Sequence, residues 1–341
     1  MSNSDQSVRL ESFLRKCTSS EVKVLSHDTI TGGYSRVMSR VSVEIDGEPR
    51  GLVVRADPPA GTSIIETDRV EEWETMSAIA AAGTVSMPAP LWFDRSGEDI
   101  GSPAIITELI AGPSLLGRAL QCDAGAHLTM AEGLCDLAAQ VHRFDVSLLP
   151  PHVRRPESWD EYIDGRIQAW ADTERRLPMR DPFMRYIGAW LHANKPRPAP
   201  LTLVHGDFQP NNVVIDEEGV YYMIDWELAH VGDPREDFGY MALCGINQPP
   251  DLIAAAPERF YRRYCQLTGM DEEIVSEPAL QYFTVFGTAS VYLPIIERLA
   301  DMADGRSRSV PVAYTSIAVA GMHSVFAAAM DRHDGAVKGA G

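Results

Sequence analysis

Apolar positions along residues 21–57 fall in β-branched runs that two glycine-containing turns separate. Such runs, bounded by turn residues, are typical of strands. The pair Asp46-Gly47 predicts a hairpin, because both residue types accept the positive φ of a tight turn. Residues 88–110 have the same strand character, and apolar positions spaced by three or four predict a helix over 67–82. The beginning of the chain is therefore expected to form a small antiparallel sheet with one helix.

The pattern changes after Gly112-Pro113, where apolar positions take the spacing of helices. The predicted helices cover 124–145, 157–177, 181–194 and most of the chain from about residue 235, with a frayed tail at 334–341. A pair of short apolar strands, at 201–204 and 212–225, interrupts them. We therefore predict an α+β chain with a sheet-containing part at residues 1–110 and a mainly helical part at residues 111–341.

Composition narrows the possible functions. The chain has 341 residues, of which 45% are hydrophobic, so it can fold without disulfides or a structural metal. Its net charge of −18 argues against nucleic-acid binding, which needs a basic surface, and against docking on anionic lipid. The five cysteines are odd in number and form no C-x-x-C pair. We expect reduced thiols in a cytoplasmic protein without a secretory signal.

One long uncharged segment calls for a comparison with membrane spans. Residues 309–330 contain no formal charge over 22 positions, which is about the length of a spanning helix. The segment also contains proline, glycine, histidine and several hydroxyl residues, and much of the rest is alanine. These residues weaken membrane insertion, so we predict a helix buried within the protein and no association with a membrane.

A polar cluster is expected where short strands end near residue 205. An apolar strand runs into His205-Gly206-Asp207, Asn212 follows five residues after Asp207, and a hairpin delivers Asp225 thirteen residues later. This set of residue types suits phosphoryl transfer, in which one aspartate orients the attacking hydroxyl while an asparagine and a second aspartate hold Mg²⁺. The spacing is that of the kinase catalytic loop H-R-D-x-x-x-x-N, with Gly206 in the place of arginine.

Three motifs together make the chain similar to the aminoglycoside phosphotransferase and choline kinase-like family of small-molecule kinases. The motifs are His205-Gly206-Asp207 with Asn212, Ile224-Asp225-Trp226-Glu227, and Gly232-Asp233-Pro234 with Asp237. The stretch 225–234 resembles in particular the phosphotransferase domains associated with acyl-CoA dehydrogenases. The resemblance covers about residues 20–330 and implies a protein kinase-like fold of two lobes, with nucleotide bound by the N-terminal one.

The resemblance implies a role for each residue of these motifs. Asp207 would be the catalytic base or the residue that orients the hydroxyl, and Asn212 and Asp225 would bind Mg²⁺. His205 would pack the loop from behind, and Asp237 would anchor the backbone of the loop. Two interpretations of Glu227 remain open, since it can contact the substrate or cap a loop. His142 resembles a packing position of the family and is expected to be structural.

The resemblance also implies a nucleotide site in the sheet. Gly32, Gly33 and Ser35 would bring backbone N–H groups to the phosphates. Arg55 stands where most kinases have lysine, and its guanidinium can grip phosphate with two hydrogen bonds. Its implied partner on the following helix is Glu72, although Glu71 and Glu74 lie close enough to take this place. The backbone at Glu108 and Ile110 would bind the adenine edge.

The resulting expectation is an ATP- and Mg²⁺-dependent enzyme that phosphorylates a hydroxyl of a small molecule and exists as a monomer or homodimer. The acceptor stays open. The acidity of the chain favours a cationic aminoglycoside-like molecule, whereas the likeness to domains associated with acyl-CoA dehydrogenases favours a hydroxyacyl-CoA or a related metabolite. A third hypothesis is a pseudokinase that binds nucleotide without turnover, although the intact Asp207, Asn212 and Asp225 speak against it.

Two sets of side chains in the helical part allow a structural and a functional interpretation. The arginines of residues 154–185 would suit an anionic acceptor if they face a pocket, but a solvated helix face is the more common arrangement. Four aromatic residues could line an acceptor pocket, but at helical spacing aromatic side chains are more often part of a core. These aromatic residues are Trp159, Tyr162, Trp170 and Trp190.

Overall fold

A five-stranded antiparallel sheet forms the beginning of the chain. The computed structural model describes residues 3–30, 36–58, 67–177, 181–247, 250–254, 256–306 and 310–339. The sheet has the strand order β1-β2-β3-β5-β4, with β1 Val22–Ile30, β2 Val37–Ile45, β3 Glu48–Ala56, β4 Pro90–Asp94 and β5 Ala104–Glu108. Asp46 and Gly47, with φ of 51° and 86°, form the turn between β2 and β3. The predicted hairpin and antiparallel sheet are confirmed.

Each face of the sheet is covered by one helix. Helix α2, Arg69–Ala82, begins at the N-cap Asp68, ends at Gly83 with φ of 64°, and packs Met76 against the sheet face that carries Ile105. Helix α1, Asn3–Thr18, packs Leu10, Phe13 and Leu14 on the opposite face. The sequence pattern predicted α2 and did not predict α1, since α1 is mostly polar and its apolar residues are few.

Helices make up most of the chain from residue 115 onward. They are α3 Leu115–Ala119, α4 Ala124–His142, α5 Trp159–Arg176, α6 Pro182–Ala193, α7 Arg235–Asn247, α8 Pro257–Thr268, α9 Glu277–Ala303 and α10 Val310–Gly339. Four short strands lie between α6 and α7, namely β6 Thr202–Val204, β7 Val213–Ile215, β8 Tyr221–Met223 and β9 His230–Gly232. The predicted helices are thus confirmed within a few residues of their expected ends.

The four short strands pair differently from the expectation. β7 and β8 form the hairpin that precedes Asp225, as expected. The expected pairing of 201–204 with 212–225 is wrong, because β6 pairs with β9. β9 contains a single apolar residue, Val231, so it lacks the apolar run that marks β6, β7 and β8 in the sequence. The β6–β9 pair nevertheless brings His205, at the end of β6, close to the start of α7.

The helical part contains two hydrophobic cores. One core lies under β6, β7 and β8 and joins α2, α4 and α8. The other core is aromatic and joins α5, α6, α9 and α10. Trp159, Tyr162, Trp170 and Trp190 are buried in this aromatic core, so the structural interpretation of these residues is confirmed.

The two last helices depart from the expectations in two ways. α10 continues to Gly339, so the described part of the expected frayed tail, residues 334–339, is helical. The expectation that 309–330 is a buried helix is only half correct, because Val325 and Phe326 are buried while Ile317 is exposed. α10 therefore buries one of its faces, packs against α9 and leaves its other face exposed. Of the described helices, only α9 is long and apolar enough to cross a membrane, and 67% of its most apolar stretch is buried inside the protein.

Candidate active site

A loop that follows β6 carries the first cluster of polar residues, and a buried carboxylate holds it. Asp237, fully buried in the first turn of α7, accepts hydrogen bonds from the backbone N–H groups of His205 at 3.0 Å and Gly206 at 2.9 Å. Nε2 of His142 donates to the same carboxylate. Although burial raises the pKa of Asp237, these interactions outweigh it and the pKa is lowered. Asp237 and His142 therefore have the expected structural positions.

His205 and Gly206 fix the shape of this loop. Burial lowers the pKa of the His205 ring, so the ring is neutral and its Nε2 donates to the carbonyl of Ile224 at 3.0 Å. Gly206 has a φ of 81°, and a Cβ at this position would lie 2.4 Å from the carbonyl oxygen of Leu228. The close approach of the two loops explains why glycine replaces the arginine of the protein kinase motif.

Asp207 lies at the centre of a ring of hydrogen-bond donors. Nδ2 of Asn212 donates to its Oδ2 and Nε2 of Gln209 donates to its Oδ1, both at 2.6 Å. Burial raises the pKa of the Asp207 carboxyl to about 7. Hydrogen bonds, the strongest from the Tyr240 hydroxyl, oppose this rise, whereas the charge of Asp225 adds to it. Asp207 is thus held in one orientation and is able to accept a proton near neutral pH.

Asp225 lies beside this cluster in a strained backbone conformation. It follows β8 and has a φ of 70°, which non-glycine residues seldom adopt. The N–H of Ile224 donates to the carbonyl of Asn212 at 2.9 Å, so the two loops are joined at the base of the site. The expected metal ligands Asn212 and Asp225 are therefore neighbours. Among the described residues there is no group of three His, Cys, Asp or Glu side chains that could hold a metal on its own.

The structure chooses among the three candidate partners of Arg55. Nη1 of Arg55 donates to Oε1 of Glu72 at 2.7 Å, and its Nη2 forms an ion pair with Asp225. Arg69 holds the other oxygen of Glu72 at 2.5 Å. Burial raises the pKa of Glu72, and the charge of Arg55 counteracts this effect. Arg55 thus lies between helix α2 and the loop that carries Asp225, and Glu72 is the residue that pairs with it.

The remaining nucleotide-site residues are placed only in part. Gly32, Gly33 and Ser35 lie outside the described residues. Glu108 ends β5, and its N–H donates to Ala89 at 3.0 Å, while Thr107 Oγ1 donates to its carbonyl oxygen at 3.2 Å. Ile110 follows in the connection between the sheet and the helical part. The adenine-binding role of Glu108 and Ile110 stays a prediction.

Sequence reasoning did not identify two residues that contact Asp207. Gln209 is a variable position inside the catalytic-loop motif, so its residue type carries no signal. Tyr240 follows Asp237 by three residues in α7, and side chains at this spacing lie on the same face of a helix. Because Asp237 holds the loop of Asp207, this spacing indicates that the side chain of Tyr240 faces the same loop, and it could have identified Tyr240 from the sequence.

The arginines of residues 154–185 form a solvated surface where the structure describes them. Four of them are more than half exposed and pair with nearby carboxylates: Arg154 with Glu161, Arg175 with Asp172, Arg176 with Glu297 and Arg185 with Glu174. Arg166 donates to Ser290, and Arg155 donates to backbone carbonyls. The described arginines fit the solvated-face interpretation and form no basic pocket, and Arg180 lies outside the described residues.

Comparison with known proteins places the chain in a family. The model of the phosphotransferase enzyme family matches residues 29–273, which is well over half of the chain. The chain belongs to this family. Acyl-CoA dehydrogenase family member 10 of Mus musculus is 30% identical over 243 residues. That match covers 65% of this chain and 22% of the relative, so the chain spans about a fifth of the relative's length.

Solved structures of low sequence identity share the fold. One such structure is a protein from Ralstonia eutropha that is provisionally described as an aminoglycoside phosphotransferase. Its superposition on this chain has a TM-score of 0.70 at 19% identity and covers 96% of this chain and 98% of that one. The aminoglycoside phosphotransferase APH(4)-Ia, in complex with ADP and hygromycin B, has a TM-score of 0.56 at 16% identity, with coverage of 96% and 98%. The fold of this chain is therefore kinase-like, as the sequence motifs predicted.

Proposed function

We propose that the protein transfers the γ-phosphoryl group of ATP, with Mg²⁺, to a hydroxyl of a small molecule. The observation that carries the proposal is the set of contacts around Asp207. The side chain is fixed by donors on both oxygens, its pKa is about 7, and Asn212 and Asp225 lie next to it. A positioned carboxylate of this kind orients and deprotonates an attacking hydroxyl, and catalysis then rests on positioning and electrostatics.

The residues near Asp207 fit a magnesium ion in their chemistry. Nδ2 of Asn212 is engaged by Asp207, which leaves its amide oxygen for a metal. Asp225 adds a carboxylate, and such oxygen donors are the ligands that Mg²⁺ takes, together with nucleotide phosphates. When bound, the ion would neutralise negative charge on the phosphates. Arg55 would bind phosphate oxygens, and Glu72 would hold its guanidinium in place.

Two classes of acceptor follow from different observations. The structural neighbour APH(4)-Ia is described in complex with hygromycin B, which supports an aminoglycoside-like acceptor. The likeness to acyl-CoA dehydrogenase family member 10 supports a hydroxyacyl-CoA or a related metabolite. The exposed, paired arginines of 154–185 remove one argument for an anionic acceptor. We also propose a cytoplasmic location, in agreement with five cysteines that are free thiols.

A transfer assay tests the proposed function. The purified protein is incubated with ATP labelled at the γ-phosphate, Mg²⁺ and a panel of aminoglycosides, amino alcohols and hydroxyacyl-CoA thioesters. We expect labelled product with one class, and a loss of about 10²–10⁴-fold in turnover for Asp207→Asn, which cannot accept the proton. Nucleotide binding without transfer to any acceptor would instead support the pseudokinase hypothesis. Unchanged turnover in Asp207→Asn would contradict the catalytic role of Asp207.

A further inference from the structure

We propose that Arg36 and Glu227 are a pair of positioning residues that ties the start of strand β2 to the loop of Asp225. The inference rests on the proposed function and assigns one role to Glu227, for which the sequence left two interpretations open. In this role Glu227 contacts neither the acceptor nor the metal. It acts through Arg36 on the distance between the residues that bind phosphate and the residues that bind the metal.

The contact between the two residues is direct and buried. Nε of Arg36 lies 2.9 Å from Oε2 of Glu227, and the side chains are only 5% and 8% exposed. Arg36 also lies 3.4 Å from Asp57 at the end of β3. Because Arg36 directly precedes β2, its side chain joins the start of a sheet strand to the motif of Asp225.

The pair belongs to a larger network of buried charges. Arg55 reaches the same carboxylate at 4.0 Å while it pairs with Glu72 and Asp225. Three arginines and four carboxylates take part, so the formal charge is 3 − 4 = −1; they are Arg36, Arg55, Arg69, Asp57, Glu72, Asp225 and Glu227. Removal of one member of a buried ion pair leaves its partner uncompensated, so such a contact resists rearrangement.

Trp226, which lies between Asp225 and Glu227 in the sequence, holds this loop in place. Trp226 is almost completely buried, and its Nε1 donates to the carbonyl of Met223 at 3.2 Å. The buried indole fixes the backbone at residue 226, so the positions of Asp225 and Glu227 on either side of it are linked. The contact of Arg36 with Glu227 therefore also restricts the position of Asp225, on the other side of Trp226. The network thus couples Arg55 of β3 and Arg36, which precedes β2, to one short loop of the helical part.

The experiment distinguishes three roles of Glu227: a positioning residue, a metal ligand and a residue that contacts the acceptor. Its main measurement is nucleotide binding, which needs no acceptor. The variants are Arg36→Gln, Glu227→Gln and the double variant, with Arg40→Gln on the exposed part of β2 as a matched control. The dissociation constant of a fluorescent ATP analogue is measured with Mg²⁺ and with EDTA, and thermal unfolding shows that each variant is folded. Arg36→Lys, which keeps the charge, replaces Arg36→Gln if that variant does not fold.

A positioning pair has a defined signature in this experiment. We expect each single variant to weaken binding of the magnesium complex by about 5- to 30-fold, and the double variant to be no weaker than the worse single one, because both break the same contact. Once an acceptor is known, its KM is expected to stay unchanged. Arg40→Gln is expected to bind like the wild type.

Four outcomes would overturn the pair. If Glu227→Gln weakens binding only with Mg²⁺ while Arg36→Gln binds normally, Glu227 is a metal ligand. If nucleotide binding is unchanged in both variants and the KM of the acceptor rises in Glu227→Gln, Glu227 contacts the acceptor. Unchanged binding and unchanged KM in all variants also rejects the pair while leaving the proposed function intact. A wild-type protein that binds no ATP with Mg²⁺ would reject the proposed function itself, and the pair with it.

Discussion

Nε2 of His142 lies 2.9 Å from Oδ2 of Asp237, although 95 residues separate them in sequence. The contact connects α4 to the first turn of α7 at a fully buried point. The same carboxylate receives the backbone N–H groups of His205 and Gly206. One buried charge therefore joins two helices to the loop of Asp207, so the shape of this loop depends on the helix packing behind it.

Asp237→Ala is expected to destabilise the protein strongly. The substitution leaves three buried donors without their acceptor, and breaking a buried pair costs about 3–5 kcal/mol. Asp172→Ala is the matched control, because Asp172 is partly exposed and its pair with Arg175 is of the surface kind, which contributes about 0–1 kcal/mol. Urea unfolding of both variants measures the difference. A cost for Asp237→Ala no larger than that of the control would contradict the anchoring role.

Asp225→Asn is expected to remove the effect of Mg²⁺ on nucleotide binding while keeping the fold. Asparagine tolerates the positive φ of this position better than alanine does, so the backbone should be retained. Changes to residues outside the ligand shell typically weaken metal affinity by about 10- to 100-fold. The loss of a ligand carboxylate should therefore weaken metal-dependent binding by about 10-fold or more. A titration of Mg²⁺ at fixed ATP checks this. Wild-type metal affinity in the variant would exclude Asp225 as a ligand.

Gly239→Ala is expected to separate α7 from α9. A Cβ at Gly239 would lie 2.1 Å from the carbonyl oxygen of Phe283 and 2.4 Å from its carbonyl carbon, both backbone atoms that cannot yield alone. Overpacking of this kind costs about 1–3 kcal/mol. Gly245→Ala in the same helix meets only ordinary contacts at 3.5 Å, and is expected to gain up to about 1 kcal/mol from helix propensity. Thermal unfolding of the two variants should show shifts of opposite sign.

His230 is expected to titrate above its ordinary pKa. Burial alone lowers the pKa of this ring, but Glu236, whose Oε2 is 3.6 Å from Nε2, prevails over burial and over the opposing charge of Arg166, so the pKa is raised above 6.5. The contribution of the His230–Glu236 pair to stability is therefore fully present below the unfolded-state pKa, and it is lost as the pH rises through the folded-state pKa.

An NMR titration of the imidazole signals measures this shift. We expect a pKa above 6.5 for His230 in the wild type and a lower value in Glu236→Gln, which keeps an acceptor oxygen for the N–H of Asp233 but removes the charge. Unfolding measured across the same pH range should lose a stabilising contribution on the alkaline side in the wild type and not in the variant. An unchanged pKa in Glu236→Gln would show that another group is responsible.

The elements that could be predicted from the sequence are those whose signals are local. The sheet, α2 and the β7–β8 hairpin follow from periodicity and from turn residues such as Asp46-Gly47. The cluster of Asp207, Asn212 and Asp225 follows from motif spacing. Helix α1 is mostly polar and β9 has a single apolar residue, so neither leaves a recognisable apolar pattern in the sequence.

The charges around the site could not be predicted in the same way. The contact between Arg36 and Glu227 joins residues almost two hundred positions apart, and no local pattern encodes such a pairing. Glu72 could be favoured over Glu71 and Glu74 only through the family resemblance, and the direction in which α2 faces Arg55 decides the choice. Such contacts depend on the packing of whole elements, which single-sequence patterns do not specify.

The division of the helical part into two cores has a consequence for how this protein can change over evolution. The residues around Asp207 rest on one core, and the aromatic core under α5 and α6 is a separate cluster, with Leu201 packed against both. Substitutions in regions that share few contacts have nearly additive effects on stability. Mutations on the faces of α5 and α6 that line only this core can therefore accumulate and be compensated locally, whereas Trp159 and Tyr162 are constrained because they contact Asp233 and His230 next to the loop of Asp207.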